Sequence, residues 1–266
     1  MPLQIMSDLH LEAPKAYDYF DIRPRAPYLA LLGDIGNVVS HREDYREFLT
    51  RLLTQFRVVL FVPGNHEAYH SDWPSTLSTL RAFEQGVRSD SSLGEFVLLD
   101  RAAHHLPREK TVILGCSLFS RVPPESERRV SMGLNDFYQI DDWDTKAHND
   151  AHARDLAWLN SQVAELEGTD NKIVILTHWS PTRHVDAVEP RHAASPIMTA
   201  FSTDLSEERC FKSPSVRLWA FGHTHYNCDV QVDRGQGAPT LRLLTNQRGY
   251  YFAQSDGFDV GKTVAL

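Results

Sequence analysis

Aspartate, asparagine and histidine side chains cluster in five short segments of this 266-residue sequence, each at the end of an apolar run. The segments are Asp8-Leu9-His10, Gly33-Asp34, Gly64-Asn65-His66-Glu67, Thr177-His178 and Gly222-His223-Thr224-His225. Carboxylates and neutral imidazoles are the ligands that borderline divalent metals prefer. The lack of cysteine in these five segments argues against a structural zinc site. Two aspartates, an asparagine and five histidines are candidates, enough for seven ligands and a spare histidine: Asp8, His10, Asp34, Asn65, His66, His178, His223 and His225. This set is too large for one tetrahedral ion and suits two ions that share a carboxylate.

His223 and His225 are expected to present both rings to the same site. Side chains two residues apart lie on one side of an extended backbone. The glycine that precedes this pair, like Gly33 and Gly64, would let the backbone turn tightly and approach the site. We therefore predict an extended strand end at residues 222–225.

Short, almost continuously apolar runs precede the polar segments, as expected for strands that are buried on both faces. The runs are Leu3–Met6, Tyr28–Leu32, Val58–Val62, Thr111–Leu114, Lys172–Leu176 and Val216–Phe221. Ligands of open α/β sheets bind outside the carboxyl ends of the strands. The pattern therefore predicts an α/β fold that delivers the polar segments to one edge.

Helical patterns lie between several of these strands. The pair Ser40 and Glu43 has the spacing of a capping box and predicts the start of a first helix. A second helix is expected to begin near Trp73, which precedes a proline of the kind tolerated in a first turn. A third is expected over residues 145–167, and residues 217–266 have the pattern of strands with little helix.

Two long polar stretches, residues 120–144 and 180–215, interrupt this pattern. Loops of such length are uncommon unless they are functional or disordered, so we expect these two to determine the substrate. The sequence contains no repeat, low-complexity tract or linker, which predicts a single domain over residues 1–266.

Composition excludes several classes of protein. The formal net charge is −8 at pH 7 and the pI is about 5.9, so no electrostatic footprint for nucleic acid or an anionic membrane is present. No apolar run approaches the roughly 20 residues that a membrane helix needs. Three widely spaced cysteines form no disulfide framework. A strand that begins near residue 3 leaves no room for a presequence, so a cytoplasmic location is expected.

In order along the chain, from residue 8 to residue 225, the five segments resemble the complete signature of the calcineurin-like metallophosphoesterase superfamily. The resemblance implies a β-sandwich of two mixed sheets flanked by helices, with a metal site at the carboxyl ends of the strands. The stretch 244–250, Leu-Thr-Asn-Gln-Arg-Gly-Tyr, is also similar to a strand end found in a small-enzyme branch of that superfamily.

The resemblance further implies two metal ions, for which manganese, iron, zinc and magnesium are all candidates. One ion would be held by Asp8, His10, Asp34 and His225, and the other by Asp34, Asn65, His178 and His223. Asp34 would bridge the two ions. His66 would be the general acid that protonates the leaving group after a metal-bridging hydroxide attacks phosphorus.

Protein phosphatases of this superfamily carry an aspartate and an arginine at the positions that Asn37 and Val38 occupy here. We therefore predict hydrolysis of small phosphomonoesters or phosphodiesters, with no nucleic-acid or membrane partner. A Ser/Thr protein phosphatase, a nuclease, a non-catalytic metal-binding scaffold and a hydrolase of a different electrophile are the alternatives. Oligomeric state is not encoded in any motif.

Arginines and the other histidines have weaker signals. Arg121 and Arg183 lie just beyond strand ends and are candidates for substrate binding. His148 and His152 lie four residues apart on one helix face, where surface or packing roles are favoured over a further metal pair. Glu67 is expected to support the site rather than to bind metal.

Overall fold

The computed structural model describes residues 1–235 and 237–266 and consists of two large mixed sheets flanked by helices. The strands are β1 (Pro2–Met6), β2 (Tyr28–Leu31), β3 (Val58–Phe61), β4 (Glu95–Leu98), β5 (Ala102–Leu106), β6 (Thr111–Cys116), β7 (Lys172–Thr177), β8 (Val216–Phe221), β9 (Asp229–Val232), β10 (Leu241–Thr245), β11 (Gly249–Tyr250), β12 (Ala253–Gln254) and β13 (Thr263–Ala265). The α-helices are α1 (Arg42–Leu53), α2 (Trp73–Arg88), α3 (Pro124–Gly133), α4 (Asp136–Gln139), α5 (Thr145–Leu166) and α6 (Arg209–Lys212). The predicted α/β class is confirmed.

The first sheet has the strand order β13-β1-β2-β3-β4. Strands β1 to β4 are parallel, and β13 pairs with β1 in the antiparallel direction. In the β1–β2 register Leu3 lies opposite Tyr28, and in the β2–β3 register Tyr28 lies opposite Val58. The carboxyl ends of β1, β2 and β3 therefore lie side by side.

The second sheet has the order β5-β6-β7-β8-β10-β9, with β6, β7, β8 and β10 parallel and the two outer strands antiparallel. This confirms the predicted sandwich of two mixed sheets. A separate two-stranded sheet pairs β11 with β12.

The two large sheets pack against each other through alternate residues of their strands. Ile5, Ala30 and Leu60 from the first sheet join Leu176 and Ala220 from the second in one buried cluster. Every residue of β2 and of β3 is buried, because helices cover the outer face of the sheet as well. Burial on both faces explains why these strands have continuous rather than alternating apolar sequence.

Helices α1, α2 and α5 cover the outer faces. The buried stripe of α1 consists of Tyr45, Phe48, Leu49, Leu52 and Leu53, as its spacing predicts. It packs with the outer residues of β2 and β3, whereas α5 packs on β6 and β7 of the other sheet. Within the described ranges, no helix is long and apolar enough to cross a membrane.

The helix starts differ from the sequence-based expectation at one point. Helix α1 begins after His41 with no side-chain cap, so the predicted capping box at Ser40 is wrong. The other two long helices are capped by aspartate: Asp72 accepts from the Ser75 N–H, and Asp144 accepts from the Ala147 N–H, each at 2.7 Å. Asp44 lies in the first turn of α1, where its negative charge interacts favourably with the positive end of the helix dipole. This interaction stabilises the start of the helix without a side-chain cap.

The two long polar stretches are only partly loops. Residues 120–144 contain α3 and α4, whereas residues 180–215 contain α6 and three single-turn 3₁₀ helices. Val130 and Leu134 of the first stretch pack with Ala200 and Phe201 of the second in a small buried cluster. The two stretches therefore form one structural unit over the end of the sandwich.

The difference between the helix starts is testable. Asp144→Ala should lower the free energy of unfolding by about 1 kcal/mol, because it removes the cap acceptor of α5. Ser40→Ala, at an exposed position that makes no cap, should leave that free energy within about 0.5 kcal/mol of the parent. Urea denaturation followed by circular dichroism measures both, and an equal loss in the two variants would contradict the observed cap assignment.

Candidate metal centre

The five polar segments meet at one edge, where the carboxyl ends of β1, β2, β3, β7 and β8 converge. Backbone hydrogen bonds join the segments to one another: the Asp8 N–H donates to Gly33 O and the His10 N–H to Asp34 O, each at 3.0 Å. The Gly222 N–H donates to His178 O at 2.9 Å. Ligand candidates that are far apart in sequence are thereby held on a shared backbone framework.

One group of side chains consists of Asp8, His10 and His225. His10 Nε2 lies 3.0 Å from His225 Nε2, which in turn lies 3.3 Å from Asp8 Oδ1. Asp8 and His10 are buried, and His225 is partly exposed. Burial, reinforced by the charge of His66, lowers the pKa of His10, which favours the neutral ring that binds metal.

A second group consists of Asp34, His178 and His223, with Asn65 beside them. His178 Nε2 lies 3.3 Å from Asp34 Oδ1 and 3.1 Å from Asn65 Oδ1. The Asn65 amide nitrogen donates to Asp136 Oδ1 at 2.8 Å, so its oxygen is the atom that faces the group. His223 Nε2 is buried and has no hydrogen-bond partner among the described residues.

The chemistry of this donor set fits metal ions. The His178 Nδ1–H is directed at Leu32 O, 2.7 Å away, which leaves Nε2 facing two oxygen acceptors. Burial would lower the pKa of His178, but the Asp34 and Asp8 carboxylates outweigh it and raise that pKa to about 9. Positive charge among these groups is thus favourable, and a metal ion would supply it in place of a proton. Burial, with the charge of His178, lowers the pKa of His223 far enough to keep a free lone pair on that ring.

The backbone at these positions is not extended, contrary to the expectation for residues 222–225. Strand β8 ends at Phe221, and His223 and His225 have φ angles of 70° and 50°. The predicted sharing of one face is therefore wrong, and each ring reaches a different group of ligands because the left-handed turn separates them. Asp8, His10 and Asp34 also have positive φ, a region where Asp and His are enriched among non-glycine residues.

Two glycines are required by close approach, as the sequence suggests. A Cβ at Gly33, where φ is +84°, would lie 2.5 Å from His178 Nδ1. A Cβ at Gly222 would lie 2.7 Å from Asp8 Oδ2. Neither contact is compatible with a side chain, so both positions need glycine for the ligands to fit.

His66 lies beside both groups without joining either. Its Nε2 is 3.9 Å from Asp34 Oδ2 and 3.5 Å from the Tyr250 hydroxyl, and its ring stacks on Tyr69 with centroids 4.1 Å apart. Burial would lower the pKa of His66, but the carboxylates of Asp34 and Glu12 outweigh burial and raise that pKa to about 9. These two carboxylates therefore favour the protonated form of the ring.

Glu12 is a site residue that the sequence analysis missed. Its Oε1 lies 2.7 Å from His66 Nδ1 and 3.3 Å from His10 Nδ1. Burial would raise the pKa of Glu12, but its hydrogen bonds to the two histidines lower it to about 2, so the carboxylate is ionised. The available signal was its position two residues after His10, which continues the spacing of Asp8 and His10. Asn37, which stands where protein phosphatases carry an aspartate, does not replace Glu12 in this role. Its side chain donates to the backbone oxygen of His66 at 2.8 Å and makes no hydrogen bond to the imidazole ring.

Asp136 is a second missed residue, contributed by α4. It accepts from the Asn65 amide and from the Tyr69 hydroxyl, each at 2.8 Å. It therefore orients a ligand candidate and the ring that stacks on His66. No local motif marks it, because it lies 71 residues from Asn65 in sequence.

Glu67 supports the site through the backbone and makes no hydrogen bond to the side chain of any ligand candidate. It is fully buried and accepts from the N–H groups of Asp34 and Ile35 at 2.8 Å and of Gly64 at 2.6 Å. The hydroxyl of Tyr45 on α1 donates to it at 2.9 Å. Its carboxylate therefore ties the end of β2 to the end of β3.

The stretch 244–250 also belongs to the site. The Gln247 side chain accepts from the His225 N–H at 2.6 Å, and the Arg248 guanidinium donates to Leu9 O at 2.7 Å. The Tyr250 ring stacks on His10 with centroids 4.2 Å apart. This stretch thus links the two segments that carry the first group of ligands.

A cavity of about 460 Å³ opens onto Asp34, Asn65, His66, His223 and His225. The remaining walls come mainly from residues 133–136 and 188–202 of the two polar stretches, with Tyr69, Ser180, Thr224 and Tyr250. This position agrees with the expectation that those stretches shape the substrate site.

The two arginine candidates do not line this cavity. Arg121 is exposed and uses its backbone N–H to bond Thr203 Oγ1, whereas the Arg183 guanidinium donates to Ser202 O at 3.1 Å. His148 and His152 are buried packing residues: His148 Nε2 accepts from the Ser120 N–H, and His152 Nδ1 donates to Leu118 O.

The position of Asp34 between the two groups leads to a prediction about metal binding. Asp34→Asn removes the charge that faces both groups, so at least one of two ions should bind at least about tenfold more weakly. Exposed Asp18→Asn is the matched control and should bind as the parent does. Metal content after gel filtration and calorimetric titration measure this, and full occupancy of two sites in Asp34→Asn would rule out a shared carboxylate.

The chain is similar to several known proteins. The chain is 25% identical over 270 residues to an uncharacterised protein of Acanthamoeba polyphaga mimivirus, across 93% of this chain and 91% of the viral protein. Phosphopantetheinyl hydrolase from Mycobacterium tuberculosis is structurally similar, with a TM-score of 0.66 and 16% identity over 93% of this chain and 89% of that one. A putative 5′-nucleotidase from Staphylococcus aureus matches with a TM-score of 0.50 and 13% identity, over 93% of this chain and 48% of that one. At these identities the structural likeness concerns the fold.

The family comparison is more specific. Residues 1–227 match the calcineurin-like phosphoesterase family, a range that includes all seven ligand candidates and His66. The chain therefore belongs to the calcineurin-like phosphoesterase family, whose members are metal-dependent phosphoric ester hydrolases.

Proposed function

We propose that this protein hydrolyses small phosphomonoesters or phosphodiesters at a centre of two metal ions. The observation that carries the proposal is the position of Asp34, whose two carboxylate oxygens face different groups of ligands. Its Oδ1 lies 3.3 Å from His178 Nε2, and its Oδ2 lies 4.0 Å from His10 Nε2. One carboxylate with an oxygen toward each group is what a bridging ligand requires.

The residues divide naturally between the two ions. The first ion would be held by Asp8, His10, Asp34 and His225, and the second by Asp34, Asn65, His178 and His223. Manganese, iron, zinc and magnesium are candidates, since this mixture of imidazole and oxygen donors accepts each to some degree. When bound, such a pair supplies Lewis-acid charge for the phosphoryl oxygens and an acidified water for attack on phosphorus.

His66 would act as the general acid. Glu12 holds its Nδ1, so Nε2 is the nitrogen free to deliver a proton to the oxygen of the leaving group. His66 lines the cavity, and its Nε2 lies near the Asp34 oxygen that faces the first group. Stacking on Tyr69 and the bond to Glu12 fix the plane of the ring, which orients the proton before the substrate arrives.

Small substrates are favoured over phosphoproteins by two observations. A cavity of about 460 Å³ is within the size range of small-molecule sites. Val38, at the position of a phosphate-binding arginine in protein phosphatases, is buried at 2% exposure and offers no charge to a phosphate. The names phosphopantetheinyl hydrolase and putative 5′-nucleotidase also refer to small phosphoesters.

The direct test is hydrolysis of p-nitrophenyl phosphate and bis-p-nitrophenyl phosphate by metal-stripped protein that is resupplied with one metal at a time. Turnover should require metal, and the ratio of the two rates should distinguish a monoesterase from a diesterase. Protein that retains two ions but hydrolyses neither ester nor any alkyl phosphate would contradict the proposed function.

The acid role of His66 predicts a dependence on the leaving group. His66→Ala should lower kcat for an alkyl phosphate about 100- to 10,000-fold. The loss for p-nitrophenyl phosphate should be far smaller, because nitrophenolate departs without a proton. Glu12→Gln, which releases His66 Nδ1, should show the same pattern with a loss of about 10- to 100-fold.

The control is Glu47→Gln, an exposed change on α1 that should alter neither rate. Metal content is measured for each variant, since Glu12 also contacts His10. Equal losses for alkyl and nitrophenyl substrates would refute the acid role of His66.

A further inference from the structure

The cavity beside the metal centre has more room than a phosphate group needs. Its volume of about 460 Å³ falls in the range of sites that enclose whole small molecules. The ligand candidates and His66 occupy one side, where the phosphate must lie for reaction. The rest of the cavity must therefore receive the organic group of the substrate.

Five apolar side chains line the part of the cavity beyond the ligand candidates. Leu134 comes from the segment after α3, and Val188, Ile197, Met198 and Phe201 come from the second polar stretch. Phe201 stacks on His223 with ring centroids 5.1 Å apart, so the apolar wall begins directly beside a ligand candidate. A methylene group of the substrate that packs against this wall leaves water, which lowers the free energy of binding.

The charges around the cavity are unfavourable for a second phosphate. Across residues 1–235 and 237–266, no lysine or arginine lines the cavity, whereas Asp136, Glu189 and His192 do, and His192 Nε2 lies 3.2 Å from Glu189 Oε2. The nearby Arg183 guanidinium donates to the Ser202 carbonyl. Arg191, which does not line the cavity, forms a salt bridge with Glu189. A second phosphate in the apolar part would therefore lie near Asp136 and Glu189 with no lysine or arginine of the lining to pair with it, which is costly.

We propose that the cavity selects phosphoesters that carry one phosphate and an uncharged, largely apolar organic group, and that it discriminates against substrates with a second phosphate. This inference rests on the proposed function for the site of the phosphate. It adds the chemical class of the group that departs from, or remains on, phosphorus.

Binding of unreactive phosphonates tests the apolar wall without turnover. Calorimetry on metal-loaded protein should show hexylphosphonate binding at least about tenfold more tightly than methylphosphonate, since each buried methylene contributes to affinity. Equal affinity for the two phosphonates would overturn the inference.

A matched pair of substrates tests the charge selection. Hexyl phosphate and hexane-1,6-diyl bisphosphate differ only by the second phosphate, and kcat/KM for the first should be at least about tenfold higher. Equal kcat/KM values, or a preference for the bisphosphate, would overturn the inference.

A charge introduced into the wall should reverse this preference. Val188→Lys places a cation in the lining and should raise kcat/KM for the bisphosphate at least about tenfold while lowering it for hexyl phosphate. Val185→Lys is the matched control: Val185 is three residues away, 77% exposed and outside the lining, so neither value should change. Equal responses of the two variants would argue against selection by this wall.

Failure of the proposed function is distinguishable from failure of this inference. If metal-loaded protein hydrolyses neither alkyl nor nitrophenyl esters, the hydrolase proposal fails, and the phosphonate series still confirms or overturns the apolar site. If p-nitrophenyl phosphate is hydrolysed but chain length and second charge have no effect, the hydrolase proposal survives and the inference fails.

Discussion

The convergence of buried acceptor groups around Asp34 is the constraint on which the site depends. Two carboxylates, an amide oxygen and several imidazole lone pairs face one another at the ends of five strands. Such a group is costly to bury unless positive charge is placed among its members. Metal affinity is therefore a consequence of the fold: the sheets hold the acceptors together, and a cation removes the penalty. Asp34 matters most because one oxygen faces each group.

Glu67 provides the support that keeps Asp34 in place. By accepting N–H groups from Asp34, Ile35 and Gly64, it joins two strand ends with one buried carboxylate. Several hydrogen bonds to one buried acceptor restrict its motion. Glu12 and Asp136 have similar roles toward His66 and Asn65. Asp34, His66 and Asn65 are thus each oriented by a carboxyl group behind them, whereas His178 is oriented by Leu32 O and His225 by Gln247.

Backbone strain is the cost of this arrangement. Asp8, His10, Asp34, His223 and His225 all have positive φ, which costs about 1–3 kcal/mol per residue. The surrounding structure holds them in this conformation: the Asp8 N–H bonds to Gly33 O, and the Gly249 N–H bonds to Asp8 O. The core between the sheets, which includes Ile5, Leu60 and Leu176, stabilises the strands from which these turns depart. Strain of this kind is stored where ligands must point inward from consecutive turns.

Local sequence pattern determined the six strands β1–β3 and β6–β8, the three long helices α1, α2 and α5, and the identity of the side chains at the strand ends, because apolar periodicity and short polar motifs act over a few residues. It also indicated that His223 and His225 serve one site, although the reason lies in left-handed turns rather than in an extended strand. The family resemblance already implied how the ligand candidates divide into two groups, and only the tertiary structure showed that Glu12 and Asp136 orient His66 and Asn65. The tertiary structure alone placed apolar residues from two distant stretches around one cavity without the candidate arginines. Those relations join residues tens to hundreds of positions apart, such as His10 and His225, and they exist only once the two sheets have packed.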